Sequence, residues 1–147
     1  MAVEFVDSDV LVYAFTLDER AAAARAILLN RPATSVQGLN EFANVARRKL
    51  GMDWHGVRES LGELRLLCSD ILPLDIAAHD EALRIAEQYG YGIFDSLIIA
   101  SALQARSETL WSEDMQHGMV IGGRLRIVNP FRKEYAPLNI GTLDKAI

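Results

Sequence analysis

Carboxylates are the residues in this chain whose positions could do chemistry. Asp7 and Asp9 follow the apolar run Val3-Glu-Phe-Val6, and Asp114 lies in the turn Ser112-Glu-Asp-Met115. Glu41 and Asp95 lie near the starts of two segments with helical character. Asp95 is the sharpest case. At roughly 100° per residue it projects on the side of Ile98, Ile99 and Ala102, the side expected to pack inward, where a charge is costly without a partner. A bound cation is one such partner; the free N–H groups and macrodipole of a first helical turn are the other. Each remaining acid also has an ordinary explanation. Glu41 points away from the stripe Leu39, Ala43, Ala46 and Leu50, beside Gln37, Asn44 and Arg48, as on a solvated face. Asp7 and Asp114 suit caps or turns. Acids gathered at one point repel one another, so a cluster makes sense mainly around Mg²⁺ or Mn²⁺, hard cations that prefer oxygen. His55, His79 and His117 share no i,i+4 pair and no Cys-x-x-Cys context, so zinc is not indicated, although His117 lies near the acidic turn.

The elements that must position these acids alternate between strand and helix. Strands are expected at Val3–Val6, Ala33–Val36, Ile71–Leu74, Thr109–Trp111 and Leu125–Val128, with Pro73 hinting at an edge. A short helix is expected over Val10–Phe15. Asp18 is the N-cap candidate of an alanine-rich helix ending near Leu29. Further helices are expected from Gln37 to Leu50 with Gly51 as the stop, from Asp53 with Trp54, Val57, Leu61, Leu64 and Cys68 at near-helical spacing, and from Asp75 to Tyr89, stopped by Gly90 and Gly92. The apolar helix containing Asp95 follows. This order predicts an α/β fold whose central, mostly parallel sheet of four to five strands is flanked by helices. In such sheets sites form beyond the carboxyl ends of the strands. Asp7 and Asp114 fall just after strands, and Glu41 and Asp95 early in helices leaving the sheet, so all four could reach one rim.

With 147 residues, half of them hydrophobic and 24% charged, the chain suits one domain with a real core. The single cysteine, Cys68, cannot form an internal disulfide and reads as a small core residue in a reducing compartment. Neither a secretory leader nor a run of membrane-spanning length is evident, so no membrane association and a cytoplasmic location are expected. A net charge of −5 argues against generic charge-driven nucleic-acid binding while leaving room for local basic patches.

The sequence has no Gly-rich phosphate loop and no Gly-x-Ser-x-Gly elbow. Asp7-Ser-Asp9 is similar to the Asp-x-Asp of haloacid dehalogenase phosphatases. A wider pattern runs through Val-Asp7-Ser-Asp-Val-Leu-Val-Tyr-Ala, Thr34-Ser-Val-Gln-Gly-Leu-Asn-Glu41-Phe, Phe94-Asp95-Ser-Leu-Ile-Ile-Ala-Ser-Ala, Leu110-Trp-Ser-Glu-Asp114-Met and a late Ile-Val-Asn-Pro-Phe131. In that order and spacing the chain resembles PIN-domain ribonucleases, most closely VapC-type toxins of toxin–antitoxin pairs. The likeness covers a PIN-like domain at 1–132 and leaves a tail, 133–147, of unknown role.

The resemblance implies a metal-dependent endoribonuclease that leaves 5′-phosphate and 3′-hydroxyl ends. It implies a four-acid site of Asp7, Glu41, Asp95 and Asp114 holding Mg²⁺ or Mn²⁺, supported by Ser8 and Ser112. Asp9 stands where many relatives carry Asn and would add a negative charge. Arg47, Arg48, Lys49, Arg124, Arg126, Arg132 and Lys133 are candidates for RNA phosphates. The likeness further implies a homodimer and a cognate antitoxin, with Trp54–Leu67 as partner surface or core. The alternatives are a phosphatase built on Asp7 and Asp9 and a catalytically silent PIN binding module.

Overall fold

The computed structural model describes residues 3–132, so Lys133 and the tail 133–147 lie outside the described residues. In chain order the elements are β1 (Glu4–Val6), α1 (Ser8–Tyr13), α2 (Ala21–Leu29), β2 (Ala33–Ser35), α3 (Val36–Arg48), α4 (Trp54–Leu67), β3 (Asp70–Leu72), α5 (Ile76–Tyr89), α6 (Ile93–Gln104), β4 (Thr109–Trp111), β5 (Val120–Ile121) and β6 (Leu125–Val128). The strands form one sheet in the order β3-β2-β1-β4-β6-β5. Every pairing is parallel except β5 against β6. β3 is an edge strand, as Pro73 suggested. The short antiparallel β5 was not expected and makes the sheet six-stranded. No helix among the described residues is long and apolar enough to cross a membrane.

The chain covers both faces of the sheet because alternate strand residues face opposite ways. Phe5, Leu110 and Ile127 point into a core shared with Ile98 and Ile99 of α6 and with Ala82 and Ile85 of α5. Val6 points into the other core, with Val10, Leu11, Phe42, Val57, Leu64 and Cys68. Cys68 is thus the core residue expected. α6 lies buried from Ser96 to Ala102, which explains why its sequence is apolar all round.

Local chemistry sets most helix boundaries. Ser35 accepts from the Gly38 N–H at 3.1 Å and Asp75 from the Ala78 N–H at 2.9 Å, so both cap their helices. Asp53 does the same for α4, and Gly90, at φ 82°, closes α5 in the left-handed region. Asp18 does not cap α2. Its carboxylate instead accepts from the Arg20 N–H at 2.9 Å and closes a turn, and the helix starts at Ala21. α3 starts at Val36 and ends at Arg48, short of the expected Leu50. Trp54 does not join the buried stripe of α4; it is 58% exposed, with the Arg47 guanidinium 4.7 Å from its ring centre.

β1 lies at the centre, and the chain runs to one side through β2 and β3 before returning to the other side with β4. The order therefore reverses between β1 and β4, the switch point where a crevice opens beyond the carboxyl ends of parallel strands. Asp7 leaves β1 there, and Ser112 leaves β4.

Candidate active site

Asp7 is only 4% exposed, and its backbone N–H extends the sheet pattern by donating to the Trp111 carbonyl at 3.0 Å. Its carboxylate accepts from the Ser8 N–H at 2.7 Å and from the Ser112 hydroxyl at 2.8 Å. Ser112 is itself buried, so both strand ends contribute to one fixed carboxylate. Burial pushes the Asp7 pKa up to about 7 from 3.8; the two hydrogen bonds oppose the rise, and the charges of Glu41 and Asp95 add to it. Asp7, Glu41 and Asp95 are therefore near enough to repel one another.

Glu41 does not stand free on a solvated face. Phe42 and Ala46 form the buried side of α3, and Glu41 is half-buried beside them. One of its oxygens accepts from the Ser8 hydroxyl at 2.9 Å and the other from the Gln37 amide at 3.0 Å. Gln37, one turn earlier and buried, escaped attention as a site residue; its i,i+4 spacing to Glu41 was the available signal. Asp95 is half-buried in the first turn of α6, where the helix dipole favours an acid. Capping is not its role, because Gly92 occupies the N-cap position and no side chain bonds the free N–H groups there. Burial raises the Asp95 pKa, and the charges of Glu41 and Asp114 raise it further.

The second side of the crevice is built on Asp9. One of its oxygens accepts from the backbone N–H groups of Glu113 and Asp114, at 2.8 and 3.3 Å, and so ties α1 to the turn that carries Asp114. Its other oxygen is buried with no hydrogen-bond partner among the described residues. Burial raises the Asp9 pKa well above its ordinary value, with Asp7 as the largest charge contribution. Asp114 itself is exposed. Glu113 anchors the same turn outward: it accepts from the Tyr13 hydroxyl at 2.8 Å and pairs with Arg20 at 3.2 Å. Arg20 also donates to the Tyr13 hydroxyl at 2.7 Å. This Tyr13–Arg20–Glu113 bracket joins residues distant in sequence, and no motif announced it. His117 accepts from the Asn129 N–H at 3.0 Å.

The donor set suits a hard divalent cation in its chemistry. It is all oxygen, the adjoining Asp9 keeps one orphaned buried carboxylate atom, and neighbouring carboxylate charges raise the pKa values of Asp7, Asp9 and Asp95, a repulsion that a cation would relieve. Among the described residues, however, no three Asp, Glu, His or Cys side chains are gathered closely enough to grip one ion. Both Glu41 oxygens are engaged by Ser8 and Gln37, so drawing ligands together requires exchanging those bonds.

The basic residues are dispersed. Lys49 lines a cavity of ≈ 370 Å³ together with Ser8, Asp9, Tyr13, Glu113 and Asp114. Arg47 donates to the Met52 carbonyl at 3.0 Å while covering Trp54. Arg124 donates to the Leu103 carbonyl at 2.6 Å and precedes β6, at the end of the sheet opposite the acidic rim. Arg48, Arg126 and Arg132 are exposed.

No curated protein matches the chain significantly. Among solved structures, a toxin–antitoxin complex from Klebsiella pneumoniae is similar at 18% identity and a TM-score of 0.67, over 88% of this chain and 98% of that one. The Mycobacterium tuberculosis toxin VapC20, described as cleaving the sarcin–ricin loop, is similar at 17% identity and a TM-score of 0.63, over 76% and 89%. VapBC2 from Rickettsia felis, bound to a DNA fragment from its promoter, is similar at 18% identity and a TM-score of 0.60, over 86% and 99%. Identities this low speak to the fold. The model of the PIN domain family matches residues 5–118, a span that carries Asp7, Glu41, Asp95 and Asp114. The acids at the strand ends and the sequence match agree, and the chain belongs to the PIN domain family.

Proposed function

We propose that this protein is a metal-dependent endoribonuclease, the toxin of a toxin–antitoxin pair, which hydrolyses RNA phosphodiester bonds to 5′-phosphate and 3′-hydroxyl ends. One observation carries the reading: the Asp7 carboxylate is buried at the switch point, fixed there by the Ser8 N–H and the Ser112 hydroxyl, with Glu41 and Asp95 close enough for their charges to raise its pKa. Mutually repelling acids at a crevice cost stability, and such arrangements concentrate at functional sites. Asp7, Glu41 and Asp95 would hold Mg²⁺ or Mn²⁺, with Asp114 as a further ligand or a contact through water. The ion supplies Lewis-acid stabilisation of charge on the phosphate and activation of water. Ser112 and the Ser8 N–H orient the Asp7 carboxylate, the Ser8 hydroxyl and Gln37 orient Glu41, and Asp9 holds the turn bearing Asp114. Lys49, from its place in the cavity beside Asp9 and Asp114, is the first candidate for an RNA phosphate, followed by Arg48, Arg126 and Arg132.

The phosphatase alternative loses ground because Asp9 has one oxygen committed to two backbone N–H groups and the other buried. An antitoxin partner is supported by the likeness to the Klebsiella pneumoniae toxin–antitoxin complex and to VapBC2 from Rickettsia felis. The apolar groove of ≈ 670 Å³ lined by Leu39, Ala43, Leu61 and Ile71, with Arg58 and Arg65 on its walls, suits an amphipathic acidic segment of such a partner. A homodimer completes the proposal and is checked by sedimentation.

The test is inducible expression in bacteria of the wild type and of Asp95→Asn, with cellular RNA ends mapped after induction. Growth arrest and new 5′-phosphate ends are expected for the wild type alone. Equal ends in both strains would remove the proposal, and stable RNA binding without new ends would favour the silent binding module.

A further inference from the structure

Beside the acids lies a cleft of ≈ 420 Å³ lined by Gln37, Asn40, Glu41, Asn44, Phe94 and Asp95. Its volume is within the roughly 300–1,000 Å³ of small-ligand clefts. Phe94 is 63% exposed, although it sits in the first turn of a helix otherwise given to the core. Gln37, Asn40, Glu41 and Asn44 are spaced i, i+3, i+4 and i+7, which puts them on one face of α3. Gln37 is committed to Glu41, whereas the amides of Asn40 and Asn44 make no hydrogen bond among the described residues. The cleft thus joins an uncovered aromatic face to two free amides, each with donors and an acceptor.

We propose that this cleft is a nucleobase subsite: an unpaired RNA base stacks on Phe94 while Asn40 and Asn44 read its hydrogen-bonding edge. The inference rests on the ribonuclease reading and adds to it the feature that selects the cleaved sequence. An unpaired base offers a π-face and a polar edge together, the combination by which single-stranded RNA is recognised. A protein partner docking here would gain one aromatic contact and bury two amides and two carboxylates. Phe94 immediately precedes Asp95, and Asn44 is one helical turn beyond Glu41, so the seated base belongs to a nucleotide next to the phosphate that is cleaved at the acidic site.

The experiment measures fluorescence anisotropy of labelled oligo(A), oligo(C), oligo(G) and oligo(U) ribonucleotide octamers with Mg²⁺. The protein carries Asp7→Asn to suppress cleavage, at a residue outside the cleft lining. Adding Phe94→Ala is expected to weaken binding roughly 5- to 150-fold, the range for loss of one base-stacking platform, and Phe94→Trp to restore it. Asn40→Ala combined with Asn44→Ala is expected to level the affinities across the four octamers. Cleavage by otherwise wild-type protein is measured in parallel. Unchanged binding and unchanged cleavage preference in the Phe94→Ala protein overturn the subsite and leave the ribonuclease reading standing. Base-selective binding lost with Phe94, in a wild type that cuts no RNA, keeps the subsite and removes the nuclease. Sedimentation that changes with Phe94→Ala while RNA binding does not assigns the aromatic to a protein interface and overturns the proposal, as does a protein that binds none of the octamers.

Discussion

Replacing Asp7 with Asn is expected to make the metal-free protein more stable while abolishing cleavage. The side chain is buried, and both of its hydrogen bonds survive the change: the amide oxygen accepts from the Ser8 N–H and the amide nitrogen faces the Ser112 hydroxyl. Only the charge is lost. Burial, reinforced by Glu41 and Asp95, lifts the folded-state pKa from 3.8 to about 7. An upward shift means that the folded state holds the proton more tightly than the unfolded chain. The associated stability is complete below pH ~4 and is lost as pH rises through ~7. At pH 8 the ionised carboxylate costs at most about 4 kcal/mol relative to a neutral group, and at pH 5 less than about 2 kcal/mol. At 2–4 °C per kcal/mol for a chain of about this size, Asp7→Asn should raise the unfolding temperature by roughly 5–15 °C at pH 8 and by half of that or less at pH 5. Circular-dichroism melts in EDTA at the two pH values measure both. A variant less stable than wild type at pH 8, or a gain that does not shrink at pH 5, would refute the argument that repulsion and burial strain this carboxylate.

Three further outcomes follow from the same geometry. Mg²⁺ or Mn²⁺ should raise the melting temperature of the wild type at pH 8 more than that of Asp7→Asn, and an equal rise in both would show that the ion binds elsewhere. Asp9→Asn should fold at least as well as wild type, because an amide oxygen still accepts from Glu113 and Asp114 without a buried charge. Asp9→Ala should lose about 1–3 kcal/mol in denaturant titration, and equal stability of the two variants would deny Asp9 its tie to the acidic turn. Gly38→Ala should destabilise by about 1–3 kcal/mol, since a Cβ there would lie 2.9 Å from the Thr34 hydroxyl, which donates to the Val6 carbonyl just before Asp7; an unchanged unfolding midpoint would contradict this.

Much of the fold was legible because its signals are local. The alternation of short β-branched runs with capped helices predicts a parallel sheet, and Asp53, Asp75 and Gly90 set boundaries by hydrogen bonds to residues within a few positions, whereas the Ser35 cap was not read because the second strand was expected to run on through Val36. β5 escaped because two residues, Val120 and Ile121, carry no readable period. The site was legible as a set of acids at strand ends, but their mutual contacts were not. Periodicity assigns Glu41 to solvent, whereas its partner Ser8 lies 33 positions away and the buried face of α3 is set by Phe42 and Ala46. Asp95 looked like a cap on local grounds; the structure leaves capping to Gly92 and turns attention to the repulsion between Asp95 and Glu41. The Tyr13–Glu113 bond, spanning 100 positions, could emerge only once the fold was known.

The central claim is that Asp7, Glu41, Asp95 and Asp114 act as one metal-dependent RNA-cleaving site. It is tested most directly by incubating purified protein with single-stranded RNA in Mn²⁺, in Mg²⁺ and in EDTA, and by treating the products with an exonuclease that requires a 5′-phosphate. Cleavage with either metal, none in EDTA, products sensitive to that exonuclease, and a loss of at least about 100-fold in Asp7→Asn, Glu41→Gln and Asp95→Asn are expected. Full cleavage in EDTA, or by Asp95→Asn, would contradict the account.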